Sequence, residues 1–160
     1  HYNILDNTGF AGQGTTVYQP QIDADGRRFP RFANLSEMWE QGAEYVALFP
    51  NVLLGVHNDH YFNIILTPDG TGRTNEQIEI YYADKAALGE DYAAMRAINT
   101  EMWKTVFSED IQVVEGMQKG RSAPGYDGGK FSAVMDESTH HFHKWVAEEL
   151  GGGQRTAQTS

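Results

Sequence analysis

An α+β fold, in which an antiparallel β-meander packs against long C-terminal helices, is what this 160-residue chain predicts. Three observations carry the expectation. Between Tyr45 and Tyr82, short apolar runs are separated by turn residues. Within that stretch Gln77 to Tyr82 alternates, with Ile78, Ile80 and Tyr82 on one face and Gln77, Glu79 and Tyr81 on the other. After Ala86 the apolar spacing lengthens to steps of three and four, the helical period.

The elements follow in order. His1 to Tyr18 is rich in Gly and Thr and predicts one or two short strands; Gln19 to Phe32 is a polar loop without periodicity. Ser36, followed by Glu37, Met38 and Trp39, suits the N-cap of a short helix. Tyr45 to Phe49 is a strand ended by the Pro50-Asn51 turn pair. Val52 to Val56 follows. Then comes His57-Asn58-Asp59-His60, whose central Asn-Asp suits a two-residue hairpin. Tyr61 to Leu66 and Gln77 to Tyr82 complete four strands, joined through Pro68 to Gly72. One face of such a meander should be buried by helices.

Ala86 to Phe107 predicts a long helix, with Tyr92, Met95, Ile98 or Asn99, Met102 and Val106 on its apolar side. A second helix, Glu109 to Lys119, is expected after Ser108. Gly120 to Asp136 is a loop, and Thr139 to Leu150 the last helix, stopped by Gly151 to Gly153. The expected organisation is one domain over residues 1–150 and a disordered polar tail over 151–160. A start at His1 without Met predicts a processed or partial sequence.

Composition narrows the function classes. Hydrophobic residues make up 40% and aromatics 12%, as in globular proteins. The formal net charge of -10 disfavours nonspecific binding to nucleic acid or anionic membranes. No apolar run reaches the length of a membrane span, and no signal segment opens the chain. Zero Cys excludes disulfides and suits a reducing cytoplasm. Gly128-Gly129 beside Lys130 lacks the spacing of a phosphate loop.

Three groups of residues are candidates for chemistry. At helical spacing Trp103, Val106, Val113, Val114 and Met117 form an apolar stripe, with Asp110 in its middle. A carboxylate buried there must be protonated, paired with a cation or bound to a metal, or else cap a helix that starts at a break. Trp103, Phe107 and Tyr45 are candidates for an apolar pocket beside it. His57, Asp59 and His60 form the second group. With Asp110 the two imidazoles would make a facial triad, but the plainer expectation is a polar hairpin tip with solvated histidines. His140, His141 and His143 are the third, and the expectation there is one or two buried, hydrogen-bonded packing histidines rather than ligands.

The stretch FSEDIQVVEGMQKGRSAPGYDGGKFSAVMDESTHHFHKW, from Phe107 to Trp145, resembles the end of the catalytic domain of Rieske non-heme iron oxygenase large subunits. The acidic pair Glu109-Asp110, then Glu115 and Gln118, matches the family's carboxylate-ligand motif. Phe49 to Gly70 is similar to the strand pair before that helix, and Thr139 to Trp145 to its closing helix. The resemblance covers about Glu44 to Ala147 and implies a helix-grip arrangement. It implies that Asp110 is a ligand of a mononuclear Fe(II), with Trp103, Val106 and Phe107 as substrate-pocket walls.

The implied activity is O₂-dependent hydroxylation or oxidative demethylation of a small aromatic or quaternary-amine substrate. Electrons would arrive from a reductase or ferredoxin through a Rieske 2Fe-2S cluster, in a homo-oligomer. The family's His-x4-His ligand pair is absent here. So are the Cys residues that hold a Rieske cluster. The chain therefore resembles only the C-terminal part of the large subunit and is expected to be inactive alone. The contrasting expectation is a non-catalytic helix-grip ligand-binding module, or a remnant without a complete iron site.

Overall fold

The structure is a computed structural model and describes residues 1–5 and 9–151. Among the described residues six strands, the four expected and two before them, form a single antiparallel sheet in sequential order. They are β1 (Tyr2–Leu5), β2 (Phe10–Thr15), β3 (Ala43–Leu48), β4 (Val52–Val56), β5 (His60–Pro68) and β6 (Thr74–Tyr82). The N-terminal Gly-rich stretch supplies both strands that its weak patterning allowed. The segment from Thr16 to Gly42 is irregular apart from a 3-10 turn at Glu37–Glu40. Ser36 takes its N-cap position without a side-chain hydrogen bond.

Register decides which side chains share a face. Asn3 pairs with Gln13, Gln13 with Tyr45, Tyr45 with Gly55, and Gly55 with Phe62. Directly paired residues project to the same side of a sheet. Phe62 lies over Gly55, where any added Cβ would stand 2.2 Å from the ring. The same face carries Ile64, opposite Leu53 and Ile78, and Phe62, Ile64 and Leu53 form a core with Trp103.

Both helices pack on this face. α1 (Ala93–Arg121) is one continuous helix of 29 residues. It begins later than its apolar pattern suggested, because Lys85–Leu88 and Glu90–Tyr92 are 3-10 turns separated by an extended Gly89. The expected break at Ser108 does not occur. The Ser108 hydroxyl donates back to the Lys104 carbonyl, 2.6 Å away, and so caps nothing. Lys119 and Arg121 lie in the last turn, where they favour the helix dipole, and Pro124 follows.

α2 (Glu137–Leu150) covers β1 and β2. Glu137 accepts from Asn3, Ser138 donates to the Gly12 carbonyl, and Phe142 and Trp145 lie 4.9 and 5.4 Å from the Phe49 ring. The α+β class and the helices on one sheet face stand as expected. The tail beyond Gly151, expected to be disordered, lies outside the described residues.

The buried side of α1 differs from its expected stripe. Met95, Asn99 and Trp103, at steps of four, are buried, and Phe107 is half-buried. Ile98 is 61% exposed, and Met102 and Val106 are 38% and 40% exposed. The large rings select the face, because Trp103 and Phe107 reach the sheet aromatics while the shorter Val106 does not.

Candidate functional site

The β4–β5 turn was expected to be a solvated tip, and it is fully buried. His57, Asn58, Asp59 and His60 are each 1% exposed. The two-residue turn itself forms, closed by the His57 N–H to the His60 carbonyl at 3.0 Å. Its burial comes from the irregular segment preceding β3. Phe32 N–H donates to the Asn58 carbonyl, the Asn58 amide donates to the Trp39 carbonyl, and Tyr18 lies 4.5 Å from the His57 ring.

Inside this enclosure a chain of polar contacts links Asp59, His60 and Trp103, while His57 Nδ1 and Asn58 Oδ1 have no hydrogen-bond partner. His60 Nδ1 lies 2.6 Å from Asp59 Oδ1, and the Trp103 indole N–H donates to His60 Nε2 at 2.9 Å. His57 stacks on His60 with centroids 4.5 Å apart and planes at 12°. Burial, and then the neighbouring His60, push the His57 imidazole down to about 3, partly offset by its backbone hydrogen bond to His60. Burial also raises Tyr18, with Asp59 adding to the effect. Asn99 is 1% exposed and donates to the Tyr82 hydroxyl at 3.2 Å.

Beside this cluster a cleft of about 490 Å³ opens between β6 and α1. Ile78, Ile80, Trp103 and Phe107 give it an apolar wall, with Arg96 and Lys104 also lining it. Trp103 and Phe107 stack at 5.7 Å and 17°, so two of the three expected pocket residues come together. Val106 is not among the lining residues, and Tyr45 stands apart from the cleft, against His57 and Phe62.

Asp110 lies two turns beyond Trp103 on the same side of α1, but it is not buried. Every residue from Ser108 to Arg121 is exposed. Ile111, Val113, Val114 and Met117 are 52–62% exposed. The helix has run past the sheet, so the stripe has nothing beneath it among the described residues. The expectation of a desolvated Asp110 is thereby corrected. His57 and His60 keep their ring nitrogens among Tyr45, Asp59 and Trp103, so the triad with Asp110 does not assemble.

The third group is also less buried than expected. His140 and His143 are exposed and pack their rings against Phe131, at 4.9 and 5.1 Å. His141 is half-buried near Phe49.

An iron centre needs more donors than these elements bring together. No group of three or more His, Cys, Asp or Glu that could hold a metal occurs among the described residues. A chain without Cys cannot ligate a Rieske cluster. The residues present therefore do not fit either iron group by themselves.

The signal that sequence reasoning missed lies in Trp103. An indole N–H on an apolar helix face needs an acceptor, and the polar turn between β4 and β5 supplies it.

Comparison with known proteins agrees with this architecture. Residues 4–152 match the model of the ring hydroxylating alpha subunit catalytic domain. The putrescine 2-hydroxylase of Ralstonia nicotianae is 31% identical over 145 residues, covering 87% of this chain and 37% of its own length. The chloroplastic choline monooxygenase of Atriplex hortensis is 28% identical over 162 residues, covering 92% of this chain and 36% of its own length. That of Beta vulgaris is 27% identical over 110 residues, 68% of this chain and 24% of its own. The chain thus spans between about a quarter and little more than a third of the length of these relatives. No helix among the described residues is long and apolar enough to cross a membrane. A match over nearly the whole chain, with a meander and two helices arranged to suit it, shows that the chain belongs to the ring-hydroxylating alpha subunit family, within its catalytic domain.

Proposed function

We propose that this chain is the C-terminal portion of the catalytic domain of a Rieske-type non-heme iron oxygenase. The whole protein would carry out O₂-dependent hydroxylation or oxidative demethylation of a small aromatic or quaternary-amine substrate. The observation that carries this reading is the family match over residues 4–152, joined by relatives named as a hydroxylase and a monooxygenase.

In this reading Asp110 is the one carboxylate the chain offers to a mononuclear iron, and the histidine ligands belong to polypeptide outside it. The surroundings of Asp110 support that role. A carboxylate flanked by Ile111, Val113, Val114 and Met117, all turned to solvent, suits a surface that another part of the same oxygenase covers. The Rieske cluster lies outside this chain, with a reductase or ferredoxin as electron donor. The oxygenase is a homo-oligomer and, lacking Cys here, works in a reducing compartment such as the cytoplasm. Trp103 and Phe107 form the substrate-facing wall, and Val106 contributes on the side turned to the covering polypeptide.

One observation favours a second reading, a ligand-binding module without iron, namely that the donor set of this chain alone is incomplete. Iron analysis separates the two. In an oxygenase carrying this chain, Asp110→Ala is expected to remove the mononuclear iron and leave the Rieske cluster in place. Full iron retention would overturn the assignment of Asp110, and an unsubstituted protein devoid of iron would favour the binding module.

A further inference from the structure

The bond from Trp103 to His60 joins the buried turn to the cleft, and its geometry allows one arrangement of hydrogens. An indole nitrogen is a donor only, so His60 Nε2, 2.9 Å from it, accepts and carries no hydrogen. The ring hydrogen is therefore on Nδ1, directed at Asp59 Oδ1 2.6 Å away. A ring flipped by half a turn would put carbons against both partners. The backbone holds the assembly from below, since the Asp59 carbonyl accepts from Ala83 and the His60 carbonyl from His57. On its flanks His60 meets the His57 ring at 4.5 Å and the Tyr82 ring at 6.1 Å.

Trp103 passes this constraint outward. It is 5% exposed, meets Phe62 edge-on at 4.6 Å and stacks with Phe107, and it lines the cleft with Ile78 and Ile80. Packing alone leaves a large ring more than one way to sit in an aromatic cluster. A hydrogen bond to a fixed acceptor selects one of them.

We propose that His60, locked in its Nδ1–H form by Asp59, is a positioning residue that fixes the Trp103 indole and thereby sets the shape the cleft offers to an apolar ligand. This rests on reading the cleft as the substrate wall. The ligand it suits has a compact apolar body placed between Trp103, Phe107 and Ile80, beneath a rim that carries Glu76, Arg96 and Lys104, with Lys104 paired to Glu101 and Arg96 held by the Ala87 and Gly89 carbonyls.

The test uses the 160-residue chain labelled with nitrogen-15 and anilinonaphthalene sulfonate as the apolar, anionic probe. In the unsubstituted chain His60 is expected to show a protonated Nδ1 and a bare Nε2 coupled across the hydrogen bond to the Trp103 indole proton. A protonated Nε2 overturns the proposal before any substitution is made. His60→Gln retains an acceptor and is expected to keep the Trp103 indole resonance sharp and its exchange with water slow. His60→Leu is expected to speed that exchange roughly tenfold and to weaken the probe, followed at Phe107 and Ile80, by a similar factor, the effect of about one hydrogen bond.

An indole resonance unchanged in His60→Leu, or probe affinity unchanged while the resonance moves, overturns the proposal. Failure of the probe to perturb Phe107 or Ile80 at all sinks it together with the cleft reading. Neither readout involves iron, so the assignment of Asp110 is judged separately.

Discussion

The β4–β5 turn and the C-terminal half of α1 invert the usual relation between polarity and burial. The turn His57-Asn58-Asp59-His60 is wholly polar and 1% exposed at each residue, whereas Ile111, Val113, Val114 and Met117 are apolar and more than half exposed. Buried polar groups are costly unless partnered, and most of the turn's are, by Trp103, Tyr45 and the backbone of Trp39, while His57 Nδ1 and Asn58 Oδ1 are buried without a hydrogen-bond partner. An exposed apolar stripe marks a surface made for another body. One region is a site already assembled within this chain. The other, in the proposed function, is half of a site whose second half lies elsewhere.

The largest expected effect tests the assembled region. Trp103→Ala removes the indole that joins Phe62, Ile64 and Phe107 and orphans His60 Nε2, so it should destabilise the chain by about 3–5 kcal/mol. Urea unfolding would measure it, and a loss no larger than that of a surface substitution would mean the turn and helix are not coupled.

The next effect is a pH dependence. His57 stays neutral in the folded chain, pushed down to about 3, while its unfolded value is 6.5. Below 6.5 the unfolded chain binds a proton that the folded chain refuses, so stability falls as pH drops from there toward 3. Its slope approaches about 1.4 kcal/mol per pH unit. His57→Phe should flatten this slope in melts between about pH 6.5 and 5, above the range where carboxylates titrate. An unchanged slope would place the titrating group elsewhere.

The smallest effect belongs to the stripe. Val113→Gln with Val114→Gln should change the stability of this chain by less than about 0.5 kcal/mol, since neither residue is packed. The pair should nevertheless reduce self-association in light scattering. A stability loss comparable to that of Trp103→Ala would show that the stripe is already covered.

Legibility in the sequence followed the same division. The meander was readable because its signals are local, from the alternation of Gln77 to Tyr82 to the Asn58-Asp59 and Gly70 turns. The burial of His57 to His60 was not, because Tyr18, Phe32 and Trp39 cover it from a segment with no periodicity of its own. Around Asp110 the stripe was read correctly as a stripe and wrongly as core, since spacing reports a face but not what lies against it. The expected break before Glu109 does not form, and the Ser108 hydroxyl bonds the preceding turn of one continuous helix.

Amide hydrogen exchange along α1 tests the division most directly. In this chain alone, residues from Met95 to Phe107 should be well protected. Protection should then fall steeply from Ser108 to Arg121, where no packing supports the helix. In an oxygenase carrying the rest of the catalytic domain, the second half should gain protection and the step should disappear. Uniform protection along α1 in the isolated chain, or a step that survives in the longer protein, would contradict the claim that the Asp110 half of this helix is a surface completed by another part of the enzyme.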